Sequence, residues 1–236
     1  PLELVEEGLR KSYASLAESF GEKTGCELER ISAIGISAMM HGYLAFDKED
    51  NLLTPFRTWR NTTTQSAATA LTELFGFNVP MRWSISHLYQ AILSGEEHIP
   101  RIAHITTLAG YIHYLLTGRW EIGVCEASGM FPVNADGSGY HEEMLEKFNK
   151  LIENKGYSWR VEDVLPAIKP CSDNTSVLTE AGARFLDPEG DLKPGVVLCP
   201  PEGDAGTGMV ATNAVRPKTG NVSAGTSVFS MLVLDA

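Results

Sequence analysis

Near its carboxyl-terminal end the chain runs Val196-Val197-Leu198-Cys199 straight into Pro200-Pro201-Glu202-Gly203-Asp204-Ala205-Gly206. Four successive apolar residues leave no solvent-facing side, which predicts a central strand covered on both faces and hence an α/β fold. Ligands of open α/β sheets sit beyond the carboxyl ends of their strands. One acid among glycines, Asp204, stands at that end. Further on, Gly225-Thr226-Ser227 is a small-residue turn at the edge of the apolar run Val228 to Leu234. Glycine lets backbone approach a ligand closely, and successive N–H groups in such turns form a concavity that holds anions. An acid facing a phosphate cradle suggests phosphoryl transfer.

The rest of the composition narrows the alternatives. The 236 residues are 43% hydrophobic, enough for a sizeable core. Nineteen basic against thirty acidic side chains give a net charge of −11, and no Lys/Arg cluster is interleaved with aromatics. That argues against nucleic acid or an anionic membrane as partner. Cys26, Cys125, Cys171 and Cys199 are far apart and have no zinc-type spacing. Reduced thiols in a cytoplasmic protein are the expectation. The sequons at Asn61, Asn174 and Asn221 read as chance matches, because no signal-peptide pattern or long apolar span accompanies them. No GxxxxGK[ST] occurs, no GxGxxG follows a strand, and neither GxSxG nor HExxH is present.

Taken in order, the chain alternates helices and strands. Apolar residues from Leu2 to Phe20 recur every three or four positions, an amphipathic helix. Ile31 to Ser37 predicts a buried strand that delivers Met39-Met40-His41-Gly42 to its carboxyl end. Tyr43 to Asp47 and Leu52 to Trp59 predict a hairpin ending in Trp59-Arg60-Asn61. Thr62-Thr63-Thr64 caps a helix that stops at Gly76, and further helices are predicted over 84–93, 106–116, 140–154, 161–168, 179–186 and 205–215. Gly220 to Leu234 predicts a pair of strands around Gly225-Thr226-Ser227. The last apolar strand would lack a partner downstream, which predicts a piece of a longer protein.

By residue type alone Asp204 is a general base or a helix N-cap, His41 a ligand contact or a structural histidine, and Trp59 a stacking platform or hairpin core. The ordered set ISAIGISAMMHG (residues 31–42), Trp59-Arg60-Asn61, Glu126-Ala127-Ser128-Gly129, Gly203-Asp204-Ala205-Gly206 and Ser223-Ala224-Gly225-Thr226-Ser227 resembles the FGGY family of carbohydrate kinases. Its Met-His-Gly signature is most like that of the xylulokinases. The resemblance covers nearly the whole chain.

The resemblance implies a ribonuclease-H-like (actin-like ATPase) α/β fold, a mixed sheet flanked by helices, with sugar and ATP in a cleft between two domains. Residues 1–215 would be the sugar-binding domain lacking its first strands, and 216–236 the start of the ATP-binding domain. Asp204 would take the proton of the sugar hydroxyl. Met40, His41, Gly42, Trp59, Arg60, Asn61 and Glu126 would contact the sugar, and Gly225, Thr226 and Ser227 the ATP phosphates. ATP and Mg²⁺ are implied, with their main binding elements outside these residues, so the piece alone would be inactive; no metal ligand is assigned within it. A homodimer is compatible with the family. The sequence departs from its relatives at Asn61 and Thr63, where Asp and Arg are common, and at Glu126, where Asn or Asp is usual. Arg60 would supply the positive charge. Those departures also fit a non-catalytic sugar sensor on the same fold; an actin- or chaperone-like ATPase would leave the Met-His-Gly and Trp loops unexplained.

Overall fold

The amino-terminal apolar stripe folds as α1 (Leu2–Thr24), which Gly25 ends in the left-handed conformation at φ 71°. The computed structural model describes residues 1–173, 175–224 and 228–235. After α1 the predicted strand is split into β1 (Ala33–Ile34) and β2 (Ser37–Ala38), and its side chains are only partly covered rather than buried. β3 (Leu44–Phe46) follows, and bridges between Tyr43 and Arg57 and between Phe46 and Leu52 close the predicted hairpin. Asp47 holds its turn by accepting from the N–H groups of Glu49 (3.1 Å) and Asn51 (2.9 Å).

Next come α2 (Gln65–Phe75), α3 (Ser84–Leu93), β4 (His104–Thr106) and α4 (Leu108–Thr117). The Thr107 hydroxyl caps α4 by accepting from the Gly110 N–H, and left-handed Gly118 ends it. Thr64 stands at the N-cap of α2, but its hydroxyl donates to the Met81 carbonyl at 2.5 Å instead of capping the helix. β5 (Glu121–Gly123), α5 (Val124–Ala127), α6 (Glu142–Ile152) and α7 (Val161–Val164) continue the chain.

The helix predicted over 161–168 stops early. Leu165 precedes Pro166 and takes extended angles (φ −76°, ψ 145°), as the clash with a following proline ring favours. Residues Ala167–Lys169 become β6 instead, parallel to β5 with Glu121 opposite Ala167. Then α8 (Glu180–Leu186) begins at Thr179, whose hydroxyl accepts from Gly182 N–H. The final elements are β7 (Val197–Leu198), β8 (Glu202–Gly203), α9 (Asp204–Ala211), β9 (Gly220–Ala224) and β10 (Val228–Leu232).

Two parallel pairings organise these pieces. β1 lies against β7 and β2 against β8, with Ala38 opposite Gly203. The Cys199 N–H donates to Ile34 O and the Glu202 N–H to Ile36 O, so the two broken strands form one continuous ribbon. β3 pairs antiparallel with β4. Along β3 and the residue before it, Tyr43 and Ala45 enter one core and Leu44 and Phe46 the other. That period-two split, both faces covered, is what sheet geometry requires of a central strand between helical layers.

One core gathers Leu71, Ile85, Leu88, Phe131 and Phe148 between α2, α3 and α6. The other gathers Leu2, Tyr111, Leu116 and Leu198 between α1, α4, α8 and the ribbon. At the carboxyl-terminal end, β9 and β10 pair antiparallel from Val228–Ala224 to Leu232–Gly220, so Val228 to Leu232 has its partner upstream. The turn predicted at Gly225, Thr226 and Ser227 lies outside the described residues.

Phe148 is fully buried and meets Tyr89 edge-on at 6.0 Å between ring centroids. Truncation there removes transfer energy and leaves a cavity. Phe148→Ala is expected to cost about 3–5 kcal/mol of folding stability in urea unfolding, whereas an exposed position such as Leu4 should tolerate the same change within about 0.5 kcal/mol.

Candidate active site

The parallel pairing of β2 and β8 brings two carboxyl ends to one edge. Met39-Met40-His41-Gly42 leaves one strand where Asp204 leaves the other. A third segment, α5 with the turn to Gly129, packs between them.

Contacts among the three are close enough to need glycine. A methyl group on Gly203 would overlap the Met40 side chain and the Glu126 carboxylate, and one on Gly129 would meet His41 Nδ1 at 2.7 Å. Gly42 has φ 92° and would press a Cβ to 2.6 Å from Arg57 O, so the Trp59 hairpin rests directly on the Met-His-Gly loop. Gly42 N–H donates to Arg82 O at 3.2 Å, and Ser84 Oγ donates to Gly42 O at 2.6 Å.

His41 has φ 67°, a left-handed angle that few non-glycine residues adopt and that clusters at functional sites. Its Nδ1 lies 3.1 Å from Gly129 O. A carbonyl can only accept, so Nδ1 carries the proton and Nε2 of the neutral ring remains an acceptor. Burial is the main influence and holds His41 below the usual histidine range; the Gly129 carbonyl and the Asp204 charge oppose it, and Arg82 adds to it.

Asp204 is exposed, at the first position of α9. Gly203 occupies the N-cap and no side chain caps the helix, so Asp204 is free of the capping role. A carboxylate in the first helical turn is favoured by the helix dipole. Thr207 Oγ1 donates to Gly203 O at 3.1 Å and lies 2.7 Å from Ser37 Oγ, tying α9 to β2.

Glu126 is fully buried, and neither carboxylate oxygen has a partner in hydrogen-bonding geometry among the described residues. Burial pushes its carboxyl up to about 8; the nearby Thr107 hydroxyl opposes this, and the charges of Glu202 and Asp204 add to it. At neutral pH the group is therefore protonated. Glu202 is also raised by burial, but the backbone N–H groups of Glu126 and Cys125 favour its charged form. Of the two acids, Glu202 is the one whose carboxylate accepts a backbone N–H.

Trp59 is 39% exposed, and the Arg60 guanidinium lies 5.0 Å from the centre of its ring. Asn61 Oδ1 accepts from Thr63 N–H (3.0 Å) and Thr63 Oγ1 (2.7 Å), so the two departures from the family pattern hold each other in a turn. Behind this loop, Arg57 pairs with Glu96, and Tyr43 Oη lies 3.0 Å from His98 Nε2. Among the described residues no group of three or more His, Cys, Asp and Glu side chains is placed to hold a metal ion.

Met40, His41, Gly42, Glu126 and Asp204 thus converge, the Trp59-Arg60-Asn61 loop adjoins them through Gly42, and Gly225, Thr226 and Ser227 fall outside the described residues. Two neighbours carried no motif of their own. Glu202 stands two residues before Asp204 and could have been suspected from that spacing; Arg82, in Pro80-Met81-Arg82, gave no signal.

Residues 6–186 match the profile of the FGGY family of carbohydrate kinases, N-terminal domain. The chain belongs to the FGGY family of carbohydrate kinases. It is 23% identical over 208 residues to a xylulose kinase of Haemophilus influenzae, covering 84% of this chain and 40% of that protein. In three dimensions it resembles a ligand-bound xylulose kinase of Lactobacillus acidophilus at a TM-score of 0.76 and 16% identity, over 96% of this chain and 44% of that one. It also resembles the Plasmodium falciparum glycerol kinase with ADP at 0.70 and 16% identity, over 94% and 44%. This FGGY chain therefore has the ribonuclease-H-like, actin-like ATPase fold of those kinases, and it spans less than half the length of the relatives it matches.

Because Glu126 is raised in the folded protein to about 8 from an ordinary carboxylate value, its contribution is fully present below about pH 4.5 and lost as pH rises through about 8. Glu126→Gln removes that titration. The variant is expected to gain stability relative to the parent between about pH 4.5 and 8, by an order of a few kcal/mol, and to hold a constant difference above. Urea unfolding across pH 4–9 checks this; a pH-independent difference would show that Glu126 ionises normally.

Proposed function

We propose that the protein carrying this chain is an ATP-dependent kinase that phosphorylates a hydroxyl of a ketose or related polyol, with Asp204 as general base. The observation that supports it is the convergence of Asp204 with the Met40-His41-Gly42 loop at the carboxyl ends of two parallel strands. Membership of a carbohydrate kinase family, and the xylulose kinase relative, support the substrate class.

In this reading the sugar lies over the Met-His-Gly loop. His41 Nε2, left unprotonated by the Nδ1 bond to Gly129, accepts from a sugar hydroxyl. Trp59 offers the exposed part of its ring to the apolar face of the sugar. Arg60 and Asn61 border it, and the protonated Glu126 keeps a second charge away from Asp204. Asp204 then takes the proton of the attacking hydroxyl as its oxygen bonds to the terminal phosphorus of ATP and ADP departs. A positioned base contributes about 10²- to 10⁴-fold to such a step, the remainder being alignment and charge stabilisation.

We read residues 1–215 as the sugar-binding domain and 216–236 as the start of the ATP-binding one. Gly225, Thr226 and Ser227 would face the ATP phosphates there. ATP brings the transferable phosphoryl group, and Mg²⁺ would screen its charge from residues other than those described. The cytoplasm is the proposed location of the reaction.

In the full-length protein, Asp204→Ala should lower sugar-dependent ADP release by at least about 100-fold with ATP affinity unchanged. An ADP-release assay over ketopentoses, ketohexoses, deoxyketoses and polyols provides the substrate, and retention of more than about a tenth of the parent turnover would exclude the base role.

A further inference from the structure

Glu202 belongs to no motif by which the family was recognised, yet it is held on the strand that carries Asp204 and its side chain reaches the start of α5. It lies on β8, two residues before Asp204, and its own N–H is fixed to Ile36 O at 3.1 Å. Its carboxylate crosses to the start of α5 and accepts the Glu126 N–H at 2.9 Å. Gly123 makes room for it, since any side chain there would collide with that carboxylate. The first N–H groups of a helix have no partner within the helix, so an acceptor at this point sets where α5 begins.

From there the connection to His41 is short and stiff. Ser128 N–H bonds to Val124 O, Gly129 N–H to Glu126 O and Phe131 N–H to Ala127 O, at 3.0–3.1 Å. Gly129 O is the acceptor that holds His41 Nδ1. A shift of α5 by one methylene length would carry Gly129 with it and release the ring, which already sits at a left-handed backbone angle. Glu202 is thus joined covalently to the base strand and, through α5, to the loop opposite.

We propose that Glu202 is a positioning residue that locks α5 and thereby holds His41 in the Nδ1-protonated orientation required over the sugar. This rests on the sugar kinase reading for its consequence in catalysis, but its structural half stands apart from any activity. What matters is reach more than charge. The amide oxygen of glutamine can accept the same N–H at the same distance, whereas aspartate keeps the charge but ends one methylene short.

The test compares Glu202→Gln with Glu202→Asp in the full-length protein. Long-range ¹H–¹⁵N spectra of histidine-labelled protein read the His41 tautomer, and steady-state kinetics read KM for sugar and for ATP. Glu202→Gln should keep the Nδ1–H tautomer and a sugar KM within about threefold of the parent. Glu202→Asp should lose the fixed tautomer and raise the sugar KM by about tenfold or more, with the ATP KM within about twofold, since a small misplacement at a binding group has effects of this size. The opposite order would mean that charge is the operative feature, and a parent-like His41 spectrum in the Asp variant would mean that α5 is held otherwise; either overturns the proposal. If the His41 spectra follow the expected order while no sugar is phosphorylated by the parent, the positioning role stands and the kinase reading fails.

Discussion

Everything at the site depends on one pairing: two broken strands, β1–β2 and β7–β8, running parallel in register. Parallel strands end on the same side, so the loop after one and the helix after the other are brought together with no further device. The ribbon is short and partly covered, and its order is reinforced from outside by the Ser37–Thr207 contact and by α5 lodged across both ends. Close approach is the second half of this constraint. Gly203, Gly129 and Gly123 are places where a Cβ would occupy the volume of Met40, His41 and Glu202.

Electrostatics explains how three acids share so small a space. Neighbouring carboxylates are costly to hold charged together in a poorly solvated interior. Glu202 accepts a backbone N–H, whereas Glu126 has no partner in bonding geometry among the described residues, and burial raises the Glu126 carboxyl to about 8. Asp204, exposed at a helix start, keeps solvent and the helix dipole beside it. One group is buried with its carboxyl raised, one is anchored by a backbone N–H, and one is exposed. That division follows chiefly from burial and donors, with the neighbouring charges adding to the shift of Glu126.

Much of this was legible beforehand where the signal is local. Thr107 and Gly118 delimit α4, and Gly76 ends α2, because capping and left-handed termination are chemistry of single residues. The helix expected through Ile168 fails for an equally local reason, the proline at 166, whose effect on Leu165 outweighs the helical spacing. Thr64, by contrast, was a correct cap position with the wrong partner, since the Met81 carbonyl that takes its hydroxyl is distant in sequence. Asn61 and Thr63 looked like two independent losses; they are one turn.

By itself the sequence determined the fold class and the family, because these are written in residue types at fixed short spacings. Only the tertiary structure decided that Asp204 is free of capping, that Glu126 is buried without a hydrogen-bond partner among the described residues, that His41 takes its proton on Nδ1, and that Glu202 joins β8 to α5. The His41 and Glu202 contacts join residues tens of positions apart, and their energy depends on burial and geometry that no single segment carries. The acid after the apolar run could be seen in the chain; what surrounds it exists only once the strands lie side by side.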